Sequence, residues 1–294
     1  YSGEYRWHFQ QVHHDIWDYD APNPVVLFDL EYDGVPRKGL AQAGKTGWVY
    51  ILDRVTGEPL VGIEERAVPQ EPRQATAATQ PFPIGDPFVT QTLDIPPEGF
   101  DLTNQGKIFT PFWDEPILLK RGEANWPPST VDPAKGYMYV CAGERQAAYS
   151  TQTDTDLASS GDRYTGGSMR FAPVPTTGVV AAVNLRDNKV VWSQRWSSRC
   201  YSGLVASAGG LVFAGRNDGR FTAIDSENGR KLWEFMTDAG VNAPPAIFEH
   251  EGEQYVAVLS AGNLLAGSKR GDSVWLFGLE SAGIESAIEI DQVT

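Results

Sequence analysis

A chain of 294 residues with 41% hydrophobic and 21% charged side chains can bury a sizeable core, as one large domain or two small ones, and its composition excludes a disordered polymer. Its 38 acidic against 24 basic residues leave a net charge of −14, a field that repels phosphate backbones and excludes nucleic acid as a partner. No apolar run reaches the roughly 18 residues of a membrane-spanning helix.

In chain order, the first patterned element is Gly3 standing four residues before Trp7, which reads as the end of a repeat whose beginning lies before the chain starts. Residues 13–20 then gather His13, His14, Asp15, Asp18 and Asp20. In an extended segment Asp18 and Asp20 point to one side, which suits a hard cation with oxygen ligands or a general base, although a surface turn cluster explains the same residues. Short runs rich in β-branched and aromatic residues at 25–30 and 48–52 predict strands. Between them lies Gly44-Lys45-Thr46-Gly47, with Lys45 27 positions after Asp18.

A repeat becomes clear from Asp53 onward. Asp53-Arg54-Val55-Thr56-Gly57 leads to Val61, Asn184-Leu185-Arg186-Asp187-Asn188 leads to Trp192, and Asp225-Ser226-Glu227-Asn228-Gly229 leads to Trp233. Each is a strand end, a tight turn needing a left-handed residue, and a strand start closing on a large side chain. The last two tryptophans are 41 residues apart, one propeller blade's length. Further strands are predicted at 137–141, 179–183, 211–214, 255–259 and 273–277. Residues 62–120 fit the repeat poorly and hold nine prolines, so they predict a long insertion over one face. The tail 281–294 has no turn motif and reads as a peripheral extension. Cys141 and Cys200 are too few for a disulfide framework and read as small buried residues. The fold class is therefore all-β, a partial β-propeller over 1–280 of about four blades, half of a full wheel.

The segment from Val12 to Asp20, followed by Ala43-Gly44-Lys45-Thr46-Gly47 and Asp53-Arg54-Val55-Thr56-Gly57, resembles pyrroloquinoline quinone (PQQ) dehydrogenases, in particular membrane-type glucose and polyol dehydrogenases. The glycine turns with their closing tryptophans are similar to the docking motifs of quinoprotein propellers. The resemblance implies that Asp18 is the general base, that Lys45 bonds the quinone oxygens, and that Asn125 and Trp126 face the cofactor. It implies a metal, calcium, magnesium or a lanthanide, with Asp18 and Asp20 as candidate ligands. It further implies a periplasmic enzyme that oxidises an alcohol or sugar and passes electrons to a quinone or a cytochrome. The family's remaining metal ligands, its ring-stacking tryptophan and its adjacent cysteine pair belong to a part upstream of these motifs. His13 and His14 are expected to make structural hydrogen bonds. The alternative is a noncatalytic propeller scaffold for protein binding, which has no need of Asp18, Lys45 and Asn125 together.

Overall fold

A computed structural model describes residues 2–93, 102–151 and 166–278. Its strands are β1 (Val26–Tyr32), β2 (Val35–Ala43), β3 (Val49–Asp53), β4 (Ile63–Ala67), β5 (Thr79–Pro83), β6 (Ile117–Glu123), β7 (Thr130–Asp132), β8 (Tyr137–Thr151), β9 (Gly167–Phe171), β10 (Thr177–Asn184), β11 (Lys189–Trp196), β12 (Leu204–Ala206), β13 (Leu211–Gly215), β14 (Arg220–Asp225), β15 (Lys231–Met236), β16 (Ala246–His250), β17 (Glu253–Ser260) and β18 (Ser273–Gly278). They form four antiparallel blade sheets. The first is β1-β2-β3, the second β11-β10-β8-β6 with β7 and β9 also on β8, the third β12-β13-β14-β15 and the fourth β16-β17-β18. The strands expected from the sequence all lie in these sheets.

The blades stack because their central strands bury both faces. On β10, Val179, Ala181 and Val183 join Phe28, Ala41, Val49 and Ile51 of the first blade. Val180 and Ala182, one step out of phase, join Val212, Ala214 and Ile224 of the third. Met138 and Val140 on β8 likewise face the first blade, and Tyr139 and Cys141 the third. The third and fourth blades share Phe213, Phe221, Val256 and Val258. A period of two on a doubly buried strand explains why these runs carry no polar alternation.

The turn repeat has one structure in three places. The backbone N–H of Gly57, Asn188 and Gly229 donates to the carbonyl four residues back, at Asp53, Asn184 and Asp225, at 2.8–2.9 Å. The acid or amide side chain at that earlier position accepts from the N–H two residues on. All three closing residues have φ of +58° to +80°. A β-carbon on Gly57 would lie 2.6 Å from the Trp7 ring and one on Gly229 2.6 Å from the Trp192 ring. Each indole therefore docks on the next blade's turn. Val61 has no indole to place on the second blade's turn. There the segment after β5 substitutes, with Asp86 N–H donating to Asn188 O and Asn188 Nδ2 donating to Val49 O and Ile84 O.

Within 62–120, β4 and β5 pair only with each other, so Pro81 and Pro83 on β5 cost no sheet interior. Residues 117–120 depart from the expected insertion, because they begin β6 and pair with β8. Pro96, Pro97 and the tail 281–294 lie outside the described residues. The cysteine expectation is corrected. Cys141 and Cys200 are buried, but β8 and the connection after β11 bring their Cα atoms to 5.5 Å and a disulfide joins them.

Candidate active site

The site is built where irregular segment 9–25 crosses the first blade. Trp17 and Tyr19 are fully buried and stack with ring centroids 5.8 Å apart. Trp17 Nε1 donates to Thr110 O and Tyr19 Oη to Lys120 O, so two indoor rings grip the chain on either side of Asp18. Asp18 itself sits at φ +60°, a left-handed conformation that aspartate tolerates better than most residues. The sequence pattern suggested an extended segment here, and this kink is the difference.

Lys45 comes from the turn between β2 and β3, where Gly47 N–H donates to Gly44 O and Lys45 N–H to Asp20 O. Its Nζ lies 3.1 Å from Asp18 Oδ2 and also bonds Asp20 Oδ1. The expected base and the expected cation thus meet in one place. The lysine is nearly buried, whereas the Asp18 carboxylate is 55% exposed and open to a reactant.

A second cation completes the cluster. Arg121 on β6 is 2% exposed, and its Nη2 bonds Asp18 Oδ2. Its Nη1 donates to Trp17 O at 2.8 Å and to Tyr149 Oη at 3.1 Å, and lies 3.4 Å from Met169 Sδ. Tyr149 Oη in turn donates to Trp17 O. Sequence reasoning missed Arg121, because it lies just past the stretch taken as an insertion and no spacing links it to Asp18. The apolar run at 117–119 on its N-terminal side is a faint sign of a strand that could carry it inward.

Burial opposes ionisation of Asp18. The hydrogen bond from Asp20 and the charges of Arg121 and Lys45 outweigh it and hold its carboxyl below the ordinary value. Asp20 moves the other way, pushed up by burial and by its hydrogen bond to Asp18, which outweigh the opposing pull of Lys45. Of the two neighbouring carboxyls, Asp18 is therefore the stronger acid.

Asn125 and Trp126 are less directly engaged. Asn125 Oδ1 accepts from the Trp126 backbone N–H, and Trp126 is 58% exposed. Their segment is tied to the one after Asp20, since Asn23 Nδ2 donates to Asn125 O at 2.9 Å and to Pro127 O at 2.7 Å. Gln42 holds that same segment through Ala21 O and Asn23 O. His13 makes the expected structural bonds, to Glu65 through Nε2 and to Gln80 through its backbone.

Lys45 is the cation of this cluster that an anionic, oxygen-rich ring such as PQQ would meet, because Arg121 is buried and already bonded, and Asp18 and Asp20 balance the two positive charges. The metal expectation fits less well. Among the described residues no group of three or more His, Cys, Asp or Glu is placed to hold a metal ion. Asp18 and Asp20 offer two carboxylates, both facing Lys45, where a calcium-like ion takes six to eight oxygens.

Residues 1–177 match the family model described as the glucose/ethanol/alcohol dehydrogenase β-propeller domain, PQQ. The chain belongs to the PQQ-dependent quinoprotein dehydrogenase family. Residues 145–293 also match a second family model, PQQ_2, described as outer membrane protein assembly factor BamB. A quinoprotein ethanol dehydrogenase of Pseudomonas aeruginosa is 29% identical, over 95% of this chain and 45% of the relative. A lanthanide-dependent methanol dehydrogenase of Methylorubrum extorquens is 30% identical, over 88% and 42%. The crystal structure of a quinohemoprotein alcohol dehydrogenase from Comamonas testosteroni superposes with a TM-score of 0.67 at 23% identity, covering all of this chain and 43% of that one, which shows the shared fold. The chain spans less than half the length of the curated relatives it matches.

Proposed function

We propose that this chain carries the base-bearing half of a PQQ-dependent dehydrogenase that oxidises the hydroxyl of an alcohol or sugar. The observation that carries the reading is the convergence of Asp18 and Lys45 at 3.1 Å, one carboxylate kept ionised and half open beside a nearly buried ammonium. When bound, PQQ supplies the two-electron acceptor that takes hydride from the substrate carbon. Asp18 takes the hydroxyl proton at its carboxylate oxygen. Lys45 would hold the quinone oxygens with its ammonium, and its low exposure would strengthen that bond by excluding water. Trp126, with its exposed aromatic face, and Asn125, with its side-chain amide nitrogen, would be further contacts for the cofactor.

A metal of the calcium, magnesium or lanthanide kind belongs to the same reading, and the lanthanide-dependent methanol dehydrogenase of Methylorubrum extorquens supports it. Asp18 and Asp20 are too few to cage it, so no step of the reaction is assigned to it here. The electron acceptor is a quinone or a cytochrome, the latter in line with relatives named quinohemoproteins. A periplasmic setting is supported by the Cys141–Cys200 disulfide, a bond that persists in oxidising compartments.

The test uses the full-length protein reconstituted with PQQ and metal. Asp18→Asn is expected to lower dye-linked oxidation by about 100-fold or more while the cofactor stays bound. Turnover unchanged from wild type removes the base assignment. A protein that binds no PQQ and oxidises no alcohol or sugar returns the chain to a noncatalytic scaffold.

A further inference from the structure

We infer that Arg121 is a positioning residue for the Asp18 carboxylate, holding it in place through a buried guanidinium that the substrate never touches. The inference rests on the reading of Asp18 as base. A guanidinium is a rigid planar fork, so groups bound to its two arms are fixed relative to each other. Here one arm holds the Trp17 carbonyl at 2.8 Å and the Tyr149 hydroxyl at 3.1 Å, while the other holds the Asp18 side chain. The carbonyl of residue 17 and the carboxylate of residue 18 are thereby clamped by one group across the left-handed kink at φ +60°.

Lys45 cannot do this alone. Its ammonium divides between Asp18 and Asp20, and any quinone oxygen it bonds competes with both. Arg121 is 2% exposed and anchored by Tyr149, which is itself buried. It therefore retains Asp18 while Lys45 is engaged with a ligand. One cation is free to serve the cofactor because the other has already fixed the base.

The experiment compares Arg121→Lys, Arg121→Ala and Tyr149→Phe in the full-length enzyme loaded with PQQ and metal. Loss of the fork is expected to lower kcat by about 100-fold, the scale of a misplaced reacting group. KM is expected to stay within about threefold, since ground-state binding is not what is lost. Added guanidinium ion is expected to restore kcat to Arg121→Ala, and to restore nothing when Asp18→Asn is also present. In the cofactor-free protein, carbodiimide labelling of Asp18, read by peptide mapping, is expected to be faster in the Arg121 variants, with other carboxylates unchanged. Folded Arg121→Lys and Arg121→Ala with wild-type kcat, or with unchanged Asp18 labelling, overturn the inference. Should neither fold, Tyr149→Phe decides, because it leaves the cation and loosens its seat: wild-type kcat and labelling there overturn it as well. Asp18→Asn separates the two readings. Turnover that survives this change sinks the base assignment, whereas turnover lost in Asp18→Asn but intact in Arg121→Lys sinks the positioning role alone.

Discussion

Gly229→Ala tests whether the docked indole, beyond the turn's dihedral angles, demands glycine. Gly229 has φ +76°, and an alanine there costs on the order of 1–2 kcal/mol for its left-handed backbone. Its β-carbon would lie 2.6 Å from the ring of Trp192, which is buried and bonded through Nε1 to Ser226 O at 3.0 Å. The indole must move, an overpacking penalty of about 1–3 kcal/mol, and its hydrogen bond is put at risk for about 1 kcal/mol more. The expected total is about 3–6 kcal/mol. Gly252 supplies the control, because its φ is +81° and a β-carbon there would meet nothing within 4 Å. Gly252→Ala should therefore cost only the backbone part, about 1–2 kcal/mol. The assay is urea unfolding followed by circular dichroism, with Trp192→Ala completing a double-mutant cycle. In the Trp192→Ala background the cost of Gly229→Ala should shrink to that of Gly252→Ala. Equal costs for the two glycines in the wild type, or strict additivity with Trp192→Ala, would refute the docking argument.

Cys141→Ser opens a disulfide that closes a loop of 59 residues and should destabilise the protein by roughly 4 kcal/mol on chain-entropy grounds, read as a lower urea midpoint under non-reducing conditions. Glu144→Gln should cost about 3 kcal/mol or more. It removes the charge that partners the nearly buried Lys120 at 3.2 Å and also receives Arg195, and thermal unfolding would report the loss. Asn23→Ala should cost about 2–4 kcal/mol, because buried Asn23 bonds Asn125 O, Pro127 O and Ser129 Oγ, and hydrogen exchange at 125–129 should quicken. Asp18 has a folded pKa below its unfolded value, so its ionised form stabilises the fold fully above the unfolded value and the contribution is lost as pH falls through the folded one. The stability difference between wild type and Asp18→Asn should hold level above the ordinary carboxylate range and narrow as pH falls through and below it; a difference that widens on acidification contradicts the assignment.

Much of the fold was legible because a propeller repeats its own grammar. The left-handed position before Val61, Trp192 and Trp233 marks a turn wherever it falls, and doubly buried strands show as short apolar runs. What escaped was non-local. Nothing within the sequence ties Cys141 to Cys200, since only the pairing of β8 with β10 and the path after β11 bring them together. The second blade's turn is covered by residues 84–86 where a tryptophan was missing, a substitution that composition does not announce. In the site, Asp18 and Lys45 were visible through a family pattern. Their meeting depends on the kink between Trp17 and Tyr19, and Arg121 depends on β6 crossing from the proline-rich stretch into the second blade. Asn125 was expected to offer its amide to a cofactor, and its side-chain oxygen also closes its own turn.

Because consecutive residues of β8 and β10 point into different seams, the chain carries two independent reporters side by side. A spin label or fluorinated side chain at Val179 senses the junction with the first blade, and one at Val180 senses the junction with the third. Stepwise opening of the wheel could then be followed seam by seam from a pair of neighbouring positions, with the order of loosening written in which of the two signals moves first.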